Sequence, residues 1–175
     1  MTVTVHAWPG PPPSWEDGLI VISTAGGPRN EAREAIRKAV CEVLGGGVEV
    51  VSTPGSAPTV MIDGVASAIG LSISHEDSIS VAALHRDGPV GIDVMKVQLP
   101  SDWARVAHDY LGMSVAVQLA ALSAEARPLA FAQAWAEREA KFKLLGESLT
   151  EWSPLPDCRL LALHLPPEFA GALAI

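Results

Sequence analysis

LSISHEDSISVAALHRDGPVGIDVMK, residues 71–96, reads as three strands in close succession. LSIS (71–74), ISVAAL (79–84) and VGIDVM (90–95) are apolar and rich in β-branched residues, and Arg86-Asp87-Gly88-Pro89 supplies turn chemistry between the last two. Working outward, Leu111 to Leu122 has helical spacing. Pro128 stands where proline is tolerated, at a first helical turn, and opens a long helix that ends at Gly146. DCRLLALHL (157–165) and EFAGALAI (168–175) close the chain as strands around Pro166-Pro167. Upstream, residues 2–7 alternate as a short strand, a break at Pro9 and Pro11–Pro13 follows, and LIVIS (19–23) is a second strand.

A helix is expected from the N-cap Asn30, through Ala32, Ala35, Ile36, Ala39, Val40, Val43 and Leu44, to the stop at Gly45-Gly46-Gly47. GVEVVS (47–52) is strand-like, and 53–64, with Pro54 and Pro58, is expected to be loop. Strands, helix, strands, helices, strands is an α+β order, unlike regular βαβ winding. Each half holds one long helix and about three strands. That count allows, without requiring, two pseudo-symmetric lobes, 1–88 and 89–175, in one compact domain, each with its helix on a small, mostly antiparallel sheet.

Composition narrows the function. The 175 residues are 49% apolar and 18% charged, as in a folded domain rather than a disordered one. No apolar run reaches the ~20 residues needed to cross a bilayer, and Met1 to Gly10 lacks a basic leader. A cytoplasmic monomer is expected, with no membrane association. Cys41, in the first helix, and Cys158, in an expected strand, read as free buried thiols. A net charge of −8 argues against nucleic-acid binding, so basic residues gathered in a pocket would stand out.

Three segments carry chemistry. In FAQAWAEREAKFKLLG (131–146), Phe131, Ala134, Trp135, Phe142 and Leu145 fall on one apolar stripe. Arg138 sits within it, while Glu139 and Lys143 lie one turn apart on its border. A plain surface reading is a Glu139–Lys143 pair with a snorkelling Arg138. In VGIDVMK (90–96), alternation puts Asp93 and Met95 on one face, Ile92 and Val94 on the other. A carboxylate there either caps its own turn or meets a hard cation such as Mg²⁺, with Glu139 as second ligand. In LSISHED (71–77), Ser74 and His75 offer a hydroxyl and an imidazole to a phosphate, although His75 also suits a satisfied loop position. The chain has no cysteine–histidine metal spacing, Gly-rich phosphate loop or GxSxG elbow.

Taken in order, S-I-S-H (72–75), V-G-I-D (90–93) and W-x-x-R-E-A-x-x-K (135–143) resemble the signature of the 4′-phosphopantetheinyl transferases, roughly SxSH, (V/I)G(I/V)D and WxxKE(A/S)xxK. The length is nearer the two-lobed monomeric type than the short trimeric one. The resemblance implies the arrangement of two pseudo-symmetric lobes, with coenzyme A bound between them. It further implies transfer of its phosphopantetheine to a serine of an apo acyl, peptidyl or polyketide carrier protein, releasing 3′,5′-ADP, as in fatty acid, polyketide or nonribosomal peptide biosynthesis. Asp93 and Glu139 would hold Mg²⁺ on the diphosphate, and Glu139 would also be the base. Ser74 and His75 would contact phosphates of the nucleotide, Lys143 the diphosphate, and Arg33 or Arg29 the 3′-phosphate, with His75 and Lys143 supporting catalysis. Arg138 stands where the pattern has a lysine that belongs to the coenzyme-binding set. Met95 replaces a common third acidic ligand, and Ala57 precedes Pro58 where a basic residue is usual. Those departures keep a second reading open, a lapsed member that binds coenzyme A or a carrier without transfer. Carriers of this kind are usually acidic, so docking on a chain of charge −8 calls for a local basic or apolar patch.

Overall fold

The computed structural model describes residues 2–53 and 56–175; Met1, and Pro54 within the expected loop, lie outside the described residues. The α+β expectation holds, with ten strands in two sheets among the described residues. The six-stranded sheet runs β2 (His6–Ala7), β3 (Leu19–Ala25), β7 (Ile79–His85), β6 (Val65–Glu76), β5 (Thr59–Ile62) and β4 (Val48–Val51) in spatial order. The four-stranded sheet runs β1 (Thr2–Thr4), β9 (Leu160–His164), β10 (Phe169–Ala174) and β8 (Gly91–Lys96). All pairings are antiparallel except β1 with β9 and β2 with β3. Strand β1 thus joins the sheet made otherwise by the second half of the chain.

Alternation along the strands builds the layers. Ile20, Ile22, Leu71, Ala82 and Leu84 pack against Ile36, Ala39 and Val40 of α1 (Arg29–Leu44). The opposite face, with Leu19, Val21, Val81 and Ala83, meets Ile92, Val94, Leu161, Leu163 and Leu173 of the four-stranded sheet. The outer face of that second sheet carries α4 (Arg127–Leu145). Here the buried helix face differs from the expected stripe: Phe131, Ala132, Ala136, Ala140 and Phe142 are buried, whereas Leu145 is 39% exposed. Alanine is small enough to let the helix lie close to Gly91, where a Cβ would collide with the Ala140 carbonyl. Gly146 ends α4 in the left-handed region (φ 69°), and the Glu147 N–H donates to the Phe142 carbonyl.

Several expected boundaries move. Helix α1 begins at Arg29 behind Pro28, so Asn30 lies inside its first turn and does not cap it. The stretch expected as loop contains β5, whose Val60 is fully buried. Asp63 (φ 50°) and Gly64 (φ 78°) form the two-residue turn that joins it to β6. Residues 103–111 form α2 (Trp103–Val106) and a π-helical stretch (Ala107–Leu111) that the apolar spacing did not predict. Gly112 (φ 89°), with the Trp152 indole against it, separates them from α3 (Met113–Ala121). Cys158 precedes β9 and is not within a strand; both cysteines are free. No helix among the described residues is long and apolar enough to cross a membrane.

Candidate active site

The junction of the sheets explains the alternating serines of β6. Strand β8 is an edge of its own sheet, so the N–H groups on its outer side lack a ladder partner. The Ile92 N–H donates to Ser72 Oγ (3.1 Å) and the Val94 N–H to Ser74 Oγ (3.3 Å). Ser74 in turn donates its proton to Asp93 Oδ1 at 2.8 Å. That hydroxyl is already engaged in holding the Asp93 carboxylate, and Ser74 is buried.

A cleft of about 940 Å³ opens beside this junction. Along one wall run Arg29, Arg33 and Arg37, at i, i+4 and i+8 on α1. The other wall holds Asp93 and Met95 of β8 and Trp135, Glu139 and Lys143 of α4. Ser74, His75 and Glu76, at the end of β6, lie between the walls. The alternation expected for residues 92–95 shows in the core, where Ile92 and Val94 pack between the sheets and Asp93 and Met95 do not; Asp93, Val94 and Met95 all line the cleft.

Lys143 crosses from α4 to β8. Its ammonium donates to Asp93 Oδ1 (2.8 Å) and to the Ile92 carbonyl (3.0 Å). Its ion-pair partner is thus Asp93, not Glu139 as in the plain surface reading. Burial, and then the charge of Asp93, push the Glu139 carboxyl above the usual range, partly offset by Lys143. Burial also pushes Glu76 up, with Asp77 and Asp93 adding to it. His75 goes the other way, down to about 4, through burial and the positive charges of Arg33, Arg29, Lys143 and Arg37. It enters the site as a neutral imidazole, with Nδ1 2.8 Å from Ser80 Oγ.

Of the expected residues, Arg29, Arg33, Ser74, His75, Asp93, Glu139 and Lys143 share the cleft. Arg138 does not. One position before Glu139, it is rotated about 100° away. It is buried against the segment after α4, donating to the carbonyls of Ser153 (2.9 Å) and Glu151 (3.5 Å) and lying over the Phe142 ring. Its Nε is buried and without a partner among the described residues. Arg37 and Glu76 were not singled out from the sequence, though the four-residue spacing from Arg33 and the position next to His75 were there to read.

The lining sets four cations, Arg29, Arg33, Arg37 and Lys143, against three carboxylates, on a chain whose charge is −8. That balance suits a ligand carrying several phosphates. Asp93 and Glu139 also fit a hard divalent cation. Asp93 receives its hydrogen bonds on Oδ1, leaving Oδ2 for another partner, and a cation would relieve the repulsion that raises Glu139. Among the described residues no group of three or more His, Cys, Asp or Glu side chains is placed to bind metal, so the fit is to two carboxylates.

No protein in the curated comparison matches the chain. The model of the 4′-phosphopantetheinyl transferase superfamily matches residues 89–170, a span from the turn before β8 to the start of β10 that includes Asp93, Glu139 and Lys143. Residues 89–170 are thus similar to the 4′-phosphopantetheinyl transferase superfamily, as the ordered motifs at 72–75, 90–93 and 135–143 suggest.

Proposed function

We propose that the protein transfers 4′-phosphopantetheine from coenzyme A to a serine of an apo carrier protein in a Mg²⁺-dependent reaction. The observation that carries the proposal is the cleft itself, where three arginines of α1 face the Asp93–Lys143 pair and Glu139. Coenzyme A has phosphates at two places, the ribose 3′-phosphate and the diphosphate. The arginine wall suits the first, and Lys143, with an N–H left after its two bonds, suits the second.

Asp93 and Glu139 would hold the cation, which when bound would neutralise charge developing on the diphosphate oxygens. The side chains do the rest. The carrier serine oxygen forms a bond to the pantetheine-linked phosphorus, the bond from that phosphorus to the leaving phosphate oxygen breaks, and 3′,5′-ADP departs. Glu139, on the wall beside Asp93 and Lys143, takes the serine proton. His75 donates a neutral N–H to a phosphate oxygen, and Ser74 keeps Asp93 oriented. Met95 brings a thioether, a poor match for Mg²⁺, so water would complete the shell.

The test is mass spectrometry of a panel of apo carrier proteins incubated with the protein, coenzyme A and Mg²⁺. A phosphopantetheine adduct on a carrier serine, lost when Mg²⁺ is chelated, is expected. Binding of coenzyme A with no adduct on any carrier would overturn transfer and leave a coenzyme A-binding protein.

A further inference from the structure

Ser80 has no part in the chemistry above. It lies on β7, fully buried, directly across the ladder from His75 on β6. Its hydroxyl is 2.8 Å from His75 Nδ1, its single hydrogen-bond partner among the described residues. On the other side β3 pairs Thr24 with Ser80, but Thr24 Oγ1 is buried and makes no hydrogen bond among the described residues. A buried hydroxyl must give its proton to an acceptor or bear the full cost of losing water. The acceptor within reach is Nδ1, and a ring nitrogen accepts only when it carries no proton of its own.

The alternatives fail on the same geometry. An Nδ1–H ring would donate to Ser80 Oγ and strand the hydroxyl proton. A doubly protonated ring would do the same and add a cation beside Arg29, Arg33, Arg37 and Lys143; those charges and burial hold the ring neutral down to about pH 4. Once the ring is neutral, the remaining question is which nitrogen keeps the proton.

We infer that Ser80 is a positioning residue that holds His75 as the Nε2–H tautomer, so that the imidazole presents an N–H donor to an anionic group in the cleft. The identity of that anion as a coenzyme A phosphate rests on the transferase reading; the tautomer rests on β6 and β7 alone. An imidazole locked this way donates without reorganising when the ligand arrives.

The full chain labelled with ¹⁵N-histidine tests this through long-range proton–nitrogen correlation spectra at neutral pH, with the His75 signals assigned from a His75→Asn variant. Wild-type protein is expected to show His75 protonated at Nε2 and bare at Nδ1. Ser80→Ala is expected to give a mixture of tautomers, and Ser80→Thr, which keeps the hydroxyl, to retain the wild-type pattern. Titration calorimetry with 3′,5′-ADP should show Ser80→Ala binding about twofold more weakly, as when about half of the rings present the Nε2–H. An Nδ1–H signal in the wild type, or a Ser80→Ala spectrum identical to it, would overturn the inference. Wild-type protein that does not bind 3′,5′-ADP would overturn the transferase reading instead, while the nitrogen spectra still decide the tautomer.

Discussion

Replacing Lys143 with methionine keeps the side-chain stem and removes the ammonium, together with its bonds to Asp93 Oδ1 and the Ile92 carbonyl. The Asp93 side chain is 11% exposed and that of Lys143 29%, so the pair lies between two limits. Breaking a fully buried pair costs about 3–5 kcal/mol and breaking an exposed one about 0–1 kcal/mol. Asp93 keeps the Ser74 hydroxyl and access to the cleft, so a loss of about 2 kcal/mol is expected, or about 4–8 °C in Tm for a chain of this size. Adding Asp93→Asn to Lys143→Met removes the stranded charge and should return about 1 kcal/mol, a coupling that a double-mutant cycle of thermal melts measures. In parallel, coenzyme A should bind about tenfold or more weakly to Lys143→Met, for loss of a charge-assisted bond to phosphate. A Lys143→Met protein that melts with the wild type, with additive effects in the cycle, would refute the placement of Lys143 on Asp93. Spacing alone puts Lys143 on a helix border with little packing and suggests almost no change in stability; its bonds to β8 reverse that expectation.

Glu139→Gln should fold normally yet lose nearly all carrier labelling; near-normal turnover by a folded protein would remove Glu139 from both the base and metal roles. Arg138→Ala should lower stability by about 1–2 kcal/mol in denaturant titrations, less than a broken buried ion pair, because the partners are carbonyls and the charge is itself poorly solvated. Arg138→Met, which keeps contact with Phe142, should lose less, and neither change should alter coenzyme A affinity. Met95→Glu should lower the Mg²⁺ concentration needed for half-maximal labelling, since residue 95 shares the cleft with Asp93; a higher requirement would refute that placement. His75 accepts a proton near pH 6.5 when unfolded but near 4 when folded, so the unfolded chain binds more protons within that window and stability falls as pH drops from about 6.5 to about 4. His75→Asn should flatten that part of the stability–pH curve, by less than about 1.4 kcal/mol per pH unit because the ring is only half-buried. Glu139, with its raised pKa, acts with the opposite sign, and only the difference between variant and wild type isolates His75.

Local chemistry made much of this legible from sequence alone. Apolar periodicity located α1, because burying Ile36, Ala39 and Val40 demands a helix with that face inward, whereas Pro128 and Gly146 bracket α4, which buries Ala136 and Ala140 from outside the expected stripe. Strand alternation put Asp93 and Met95 together on the cleft side of β8, since the side-chain period of a strand is two. The turn chemistry of Asp63-Gly64 also marked a hairpin, and reading 53–64 as loop overlooked it. Tertiary structure decided what no local pattern encodes. The serines of β6 matter because β8 arrives as an edge strand with N–H groups to satisfy, and Lys143 finds Asp93 rather than Glu139 because α4 lies close over Gly91. The same docking sends Arg138 away from the cleft, since neighbouring helix positions point about 100° apart and the segment 147–159 folds back to offer its carbonyls. Sequence picked out residues of suitable chemistry, Arg138 among them and Arg37 not; only the meeting of two sheets determined which of them face one another, because contacts between distant segments depend on packing that spacing along a chain does not record.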